Sequence, residues 1–252
     1  MPLLKARAVV LRSYPYSDTS KIVRLFTPDH GLKSAIAKGA LRPKSRFGGL
    51  LEPFTEGVAV LYVKEGRELH TLSSFDLVRS RHALASDWVR LAGASLLAEL
   101  VLHTATEEPH PALYQALVRG WDDLVAAPTT HVAMAHTLAA GWHLVRLLGF
   151  APETERCGGC GRRLALDEPS GFDLGAGSVA CRACRPHGRI LSAPVRHELR
   201  AMTRGQRPPR LTDWPTHREL FRQFLARHLT DDRRLRALPQ FLEAARSTIV
   251  AP

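Results

Sequence analysis

Four cysteines form two closely spaced pairs, and they are the residues of this chain best suited to a defined chemistry. Cys157 and Cys160 lie in the segment CGGC, and Cys181 and Cys184 lie in CRAC. Each pair can form a tight turn that directs two thiolates at one point, and four thiolates are a ligand set that structural zinc prefers. We therefore predict one structural Zn²⁺ ion, because four protein ligands leave no position for water or substrate.

Three other roles of the cysteines are compatible with this spacing, namely two disulfides, a redox-active pair and an iron–sulfur centre. The N-terminal segment lacks the features of a signal peptide, and we expect a cytosolic protein, in which disulfides are rare. Five arginines are placed in sequence to offset the negative charge of a metal–thiolate centre: Arg156, Arg162, Arg163, Arg182 and Arg185.

A second feature is the basic segment AKGALRPKSRFGGLLEPF at residues 37–54. It superficially matches a phosphate-binding loop, but the second glycine of that motif is missing and Pro43 has no N–H to donate. We interpret the segment as a cationic arm that contacts nucleic acid, the alternative being a solvated loop. The predicted contacts are Lys33, Lys38, Arg42, Lys44 and Arg46.

Two further sets of residues are candidates for contacts with nucleic acid. Tyr14, Tyr16 and Phe47 lie in or beside predicted connections, where aromatic rings can stack on bases. A second basic patch either extends the nucleic-acid track or is a solvated helix face: Arg196, Arg200, Arg204, Arg207 and Arg210. No base-reading motif is present, so we expect little sequence specificity.

Catalytic motifs are not apparent. The sequence contains neither H-E-x-x-H nor G-x-S-x-G, and its histidines and acidic pairs have no partners at the spacing that a catalytic or metal site needs. We predict that the protein is not an enzyme. A metal-dependent nucleic-acid enzyme is a rival interpretation, which the closed set of four cysteines disfavours.

The elements that must position these residues follow from the hydrophobic pattern. Residues 1–80 contain five short β-rich runs separated by turn signals, which predict a five-stranded barrel of the oligonucleotide/oligosaccharide-binding (OB) type. Periodicity alone does not separate it from an SH3-like barrel. Residues 81–150 and 190–252 show helical periodicity, with Ser86 expected to cap the first long helix. The predicted class is therefore an α+β multidomain protein with the four-cysteine module inserted at residues 151–189.

The charge of the chain favours polyanionic partners. Its 252 residues include 35 Lys and Arg against 24 Asp and Glu, which gives a net charge of +11. Such a field favours nucleic acid as a ligand. No apolar run approaches the roughly 20 residues that a spanning helix needs, so no membrane partner is predicted.

Three stretches point to a known family: RAVVLRSYPYSDTSKIVRLFTPDHG, IAKGALRPKSRFGGLLEPFTEGVAVLYV and ELHTLSSFDLV. The most specific part is YSDTS at residues 16–20, followed by the basic KGALRPKS. Together they resemble the RecO family of bacterial recombination mediators. The later helices and the inserted cysteine pairs agree with that family in order and length. Some family members lack the cysteines, so the zinc prediction rests on this sequence.

The resemblance implies a non-enzymatic DNA-repair function. It implies binding to single- and double-stranded DNA and annealing of complementary strands. It also implies action with RecR to load RecA onto single strands coated by single-strand-binding protein, and contact with the acidic C-terminal tail of that protein. The location implied is cytoplasmic and nucleoid-associated. The alternative is an RNA-binding protein of the OB/zinc-ribbon kind that acts in translation or transcription.

Overall fold

The N-terminal part of the chain is a closed five-stranded barrel. A computed structural model describes residues 2–63, 66–184, 189–229 and 235–250. The strands close in the order β1-β2-β3-β5-β4, and within the barrel only β3 and β5 pair in parallel. This Greek-key barrel confirms the predicted OB fold. The strands are β1 (Leu3–Pro15), β2 (Lys21–Thr27), β3 (Gly31–Ala37), β4 (Glu56–Tyr62) and β5 (Leu69–Arg79).

Alternation along β1 assigns its side chains to two different cores. Ala8 and Val10 point into the barrel, whereas Val9 and Leu11 pack in a second cluster with the helices that follow. Since successive residues of a strand face opposite sides, this stretch of β1 is buried on both faces. The barrel and the helices are therefore packed against each other through an apolar contact. Tyr62, at the end of β4, is exposed.

Six helices form most of the remaining chain that the structure describes. A short 3₁₀ helix at His82–Ser86 precedes α1, and the carboxylate of Asp87 caps α1 by accepting the N–H of Arg90 at 2.9 Å. The expected cap, Ser86, belongs instead to the 3₁₀ helix. The helices are α1 (Trp88–Thr104), α2 (Pro111–Ala126), α3 (Thr130–Leu147), α4 (Ala193–Thr203), α5 (Trp214–His228) and α6 (Ala237–Val250).

The centre of the helical part is an aromatic cluster around Trp142. Its ring lies 5.1 Å from that of Phe221 and 5.0 Å from that of Phe224, both in edge-on orientation. Gly141 allows this approach, because a Cβ atom there would lie 2.5 Å from the ring of Phe221. None of the described helices has the length and apolar character needed to cross a membrane.

A small three-stranded sheet lies between α3 and α4 and supports the cysteine pairs. Its strands are β6 (Ser170–Asp173), β7 (Ser178–Ala180) and β8 (Arg189–Leu191), in the order β7-β6-β8. The hairpin of β6 and β7 lies in the chain between the two cysteine pairs.

A buried ionic network joins the barrel to the helices. Glu56 at the start of β4 is 2% exposed, and Arg81, just after β5, is 3% exposed. The guanidinium of Arg81 lies 3.0 Å from the carboxylate of Glu56 and 2.7 Å from that of Asp122 on α2. It also donates to the carbonyl of Phe54 at 3.1 Å and lies 5.7 Å from the ring centre of Trp121. One side chain thus holds strand, loop and helix together.

Loss of the Arg81 guanidinium should be costly. Arg81→Met is expected to lower the free energy of unfolding by about 3–5 kcal/mol, because it leaves the buried Glu56 without its main partner. Arg79→Gln is the matched control: its bond to Asp122 is exposed and should be worth at most about 1 kcal/mol. Urea denaturation measures both variants, and equal losses would contradict a special role for the buried network.

The same network predicts acid sensitivity. Burial raises the pKa of Glu56, but hydrogen bonds from Arg81 and Arg7 lower it by more, so its pKa lies below the ordinary 4.5. The stabilisation is present above that ordinary value and is lost as the pH falls through the folded-state pKa. We expect that in Glu56→Gln the free energy of unfolding decreases less between about pH 5 and about pH 3 than in the wild type. The exposed Glu108→Gln should leave that slope unchanged.

Candidate metal centre and nucleic-acid interface

The structure brings all four cysteines to one point. Their sulfur atoms lie within 4.8 Å of one another, and the Sγ atoms of Cys160 and Cys181 are 3.9 Å apart. A tetrahedral zinc ion with Zn–S bonds of about 2.3 Å requires sulfur separations of about 3.8 Å. The donor set and its spacing therefore fit a four-coordinate metal ion.

Local backbone geometry explains how the sequence builds this centre. The N–H of Gly161 donates to the carbonyl of Cys157 at 2.8 Å, which closes the first turn. Gly158 and Gly159 are required by close approach rather than by a turn. A Cβ atom at Gly158 would lie 2.2 Å from the hydroxyl of Ser178, and one at Gly159 would lie 3.0 Å from Cys184. The two pairs can meet only because small residues separate the first two cysteines.

The thiols are arranged so that a cation completes the site. The N–H of Cys181 donates to the sulfur of Cys157 at 3.3 Å, and such backbone bonds lower the pKa of Cys157 to about 6. The neighbouring thiols raise the pKa of Cys184 instead. Four adjacent thiols cannot all ionise unless positive charge is added, which a metal cation would supply.

Two of the arginines around the cysteines have carboxylate partners. Arg162 forms an ion pair with Glu168 at 2.6 Å, and Arg163 forms one with Glu155 at 3.3 Å. Hydrogen bonds to Glu168 and to Cys181 raise the pKa of Arg162. The charge-offset role of the arginines stays a prediction, and the predicted Arg185 lies outside the described residues.

The basic segment between β3 and β4 is anchored to the barrel. It folds as successive turns, in which the N–H of Arg42 donates to Gly39 and that of Ser45 donates to Arg42. Phe47 and Leu51 insert into the barrel core. Phe47 is 2% exposed, so the expectation that it stacks on bases is wrong. The cationic arm is therefore a loop whose centre is held in the barrel core.

Four predicted contacts of this segment remain on the surface. Lys38, Arg42, Lys44 and Arg46 are exposed, and none forms an ion pair with any other residue that the structure describes. Lys33 differs, since its side chain is 13% exposed and its Nζ lies 2.5 Å from the carboxylate of Glu107. Its expected contact with DNA stays a prediction, and an ion pair at the junction with the helices already balances its charge. We define the basic loop by the four exposed residues.

Two exposed tyrosines lie in or beside the connection to which the basic loop is hydrogen-bonded. Tyr14 lies at the end of β1 and Tyr16 in the connection to β2, and both are exposed. This connection is tied to the loop by the N–H of Leu41, which donates to the carbonyl of Thr19 at 3.0 Å. The structure thus brings together cationic and aromatic side chains, the combination that binds single-stranded nucleic acid.

The second basic patch is largely occupied by internal contacts. Arg196 is buried and donates to the backbone carbonyls of Thr154, Ala165, Leu166 and Glu168, which joins α4 to the cysteine module. Its expected role as a DNA contact is wrong, since it does not reach the surface.

The other arginines of this patch differ in their surroundings. Arg200 and Arg204 share the carboxylate of Glu155, and Arg207 lies 2.9 Å from Asp123. Arg210 is exposed and has no ion pair within the described ranges of the chain. Sequence reasoning missed these partners because Glu155 and Asp123 lie 49 and 84 positions away from Arg204 and Arg207.

A buried histidine–carboxylate pair is a further contact that is not apparent from the sequence. His217 is fully buried and its Nε2 lies 2.7 Å from Glu198, whose carboxylate accepts the N–H of Thr212 as well. The pair joins α4 to α5. Its burial separates it from any substrate, so its geometry is that of a structural contact.

Comparison with known proteins agrees with this architecture. The family model described as Recombination protein O N terminal matches residues 1–81, and that described as Recombination protein O C terminal matches residues 85–237. The boundary between the two matches coincides with the passage from the barrel to the helices.

Curated relatives give the same result. The chain is 33% identical over 258 residues to the DNA repair protein RecO of Frankia casuarinae, which covers 97% of this chain and 100% of that protein. It is 36% identical over 188 residues to the DNA repair protein RecO of Anaeromyxobacter sp. strain K, which covers 74% and 72% of the two chains. The chain therefore belongs to the RecO family of DNA repair proteins.

Proposed function

We propose that the protein is a recombination mediator that binds DNA, anneals complementary single strands and, with RecR, helps load RecA onto DNA coated by single-strand-binding protein. It acts without catalytic groups, in the cytoplasm at the nucleoid. The observation that carries the proposal is the basic loop, whose cations are exposed and whose backbone is hydrogen-bonded to the connection that contains Tyr16.

Annealing follows from the physical chemistry of this surface. Two complementary strands repel each other through their phosphates, and cations at a shared surface reduce that repulsion. The basic loop supplies such cations, since no described carboxylate forms an ion pair with Lys38, Arg42, Lys44 or Arg46. Exposed tyrosines beside the loop add stacking, which tolerates any sequence because every base has a π-face. Base pairing then proceeds between strands that are held close together.

A cavity in the helical part supports the proposed contact with the single-strand-binding protein. It has a volume of about 320 Å³ and lies between α2, α3 and the segment after α4. Arg119 lines it, exposed and without an ion pair among the described residues, together with the apolar side chains of Ala116 and Leu147. Arg204 and Arg207 also line it, but they already pair with Glu155 and Asp123. An unpaired cation beside an apolar floor suits an acidic peptide with an apolar end.

We propose that the four cysteines hold one Zn²⁺ ion with a structural role. The fit of the sulfur spacing and the closed ligand set support this assignment over an open catalytic site. When bound, zinc supplies a cross-link between the two cysteine pairs. The cysteine module would then be held rigidly against α4, to which Arg196 already joins it.

Reversal of charge in the basic loop should weaken DNA binding. For the variant Arg42→Glu, Lys44→Glu and Arg46→Glu, we expect loss of strand annealing and weaker binding of single-stranded DNA. The salt dependence should also decrease, by about 0.7 in log–log slope for each phosphate that the protein no longer neutralises. Fluorescence anisotropy at several salt concentrations measures both quantities.

The control for this variant reverses three exposed arginines elsewhere: Arg67, Arg146 and Arg246. It has the same net charge, so it should retain annealing if position matters more than total charge. Equal losses in both variants would contradict the assignment. Competition between DNA and RNA strands of equal length tests the RNA-binding alternative, which tighter binding of RNA would favour.

Metal analysis tests the zinc proposal. We expect one zinc per chain, and loss of it in Cys160→Ser and Cys184→Ser. Removal by a chelator should unfold the cysteine module, since structural zinc contributes on the order of 10 kcal/mol in comparable sites. Bound iron with visible absorption, or cysteines that remain oxidised after denaturation, would contradict the proposal and favour an iron–sulfur centre or disulfides respectively.

A further inference from the structure

A cavity lies where the barrel meets the helices, apart from the basic loop and the cysteines. It has a volume of about 340 Å³ and opens between β1, α1 and α6. Leu11, Phe54 and Leu91 form its apolar part, and Trp88 lies at its edge. This volume falls within the range of small-ligand sites.

Trp88 is unusual among the four tryptophans of the chain. Trp88 is 56% exposed, whereas Trp121 and Trp142 are fully buried and Trp214 is half-buried. Trp88 is the first residue of α1, and Asp87 before it is occupied by capping the helix and by the hydroxyl of Thr130. An exposed indole beside an apolar cavity presents a flat face to a ligand.

The charges around this cavity favour an anionic ligand. Arg12 on β1 and Arg236 before α6 line it, and both are exposed without an ion pair among the described residues. The carboxylate of Glu99 also lines it, but this group accepts the N–H of Ala237 at 2.7 Å and lies 3.9 Å from His103. The rim is therefore net positive, while its one carboxylate is already engaged.

The cavity is also continuous with the aromatic part of the candidate interface. Arg12 and Tyr14 are two residues apart on β1, which places them on the same face of the strand. The guanidinium of Arg12 lies 5.9 Å from the ring centre of Tyr14. A DNA strand that stacks on Tyr14 thus meets Arg12 next, and Arg12 lines the cavity.

We propose that this cavity binds a nucleobase of single-stranded DNA, stacked on Trp88, with the adjacent phosphates held by Arg12 and Arg236. The inference rests on the proposed DNA-binding function and extends it to a second anchor at the junction of barrel and helices. It makes the bound strand run from the basic loop past Tyr14 to α1. A base has a flat face that can stack on the indole, and the backbone phosphates on either side of it can pair with the two arginines.

Tryptophan fluorescence tests the proposal directly. Titrating the full-length protein with a short oligothymidylate should quench the emission of Trp88, and Trp88→Phe should abolish most of that quenching. Trp88→Ala should weaken binding about 5- to 150-fold, the range that stacking of one base contributes. Phe150→Ala, which removes an exposed aromatic ring outside the cavity, should bind as the wild type does.

The salt dependence gives a second readout. Replacement of Arg12 and Arg236 by Gln should lower the log–log slope by about 1.4, because each arginine neutralises one phosphate and each phosphate accounts for about 0.7. If DNA binding is intact and sensitive to the basic loop, but Trp88→Ala binds normally and quenching is absent, the inference is overturned while the proposed function stands. If the wild type binds no DNA, both fail. Quenching by an acidic peptide but not by the oligonucleotide would overturn the assigned ligand.

Discussion

The arrangement of barrel and helices depends on the buried guanidinium of Arg81. It binds Glu56 at the start of β4, Asp122 on α2 and the carbonyl of Phe54 in the preceding loop. Buried charges are costly unless every partner is present, so such a network favours one arrangement of its elements over others more than it adds net stability. The end of the loop that follows the exposed cations is thereby fixed relative to the helices. This contact therefore sets where the candidate interface lies relative to the helices.

Net charge overstates the cationic surface that is free for DNA. In the C-terminal part, Arg196 is buried among carbonyls, and Arg200, Arg204 and Arg207 form ion pairs with Glu155 and Asp123. These arginines connect α4 and its following segment to the cysteine module and to α2. The barrel differs, because the four cations of its basic loop have no such partners among the described residues. Position and pairing, rather than composition, distinguish the two basic regions.

Local patterns predicted the barrel, the helices and the convergence of the cysteines, because each depends on short-range periodicity or spacing. The alternation that gives Ala8 and Val10 to one core is visible in the sequence. The burial of Phe47 is not visible in the sequence, since an aromatic residue in a polar segment can be either exposed or inserted into a core. The pairing of Lys33 with Glu107 could not be predicted from the sequence either, because it depends on how α1 and the loop after it pack on the barrel. Long-range packing therefore accounts for the error at Phe47 and for the unforeseen pairing of Lys33, whereas the cap of α1 differs from its prediction by one residue within a local pattern.

Insertion of Phe47 and Leu51 into the barrel core has a consequence for the thermodynamics of binding. A free loop of this length would lose conformational entropy on contact with a strand, about 1–2 kcal/mol for each residue that becomes ordered. Here the backbone that carries Arg42, Lys44 and Arg46 is already ordered when the barrel folds. Only the side chains remain to be restrained, so more of the electrostatic free energy is retained as affinity.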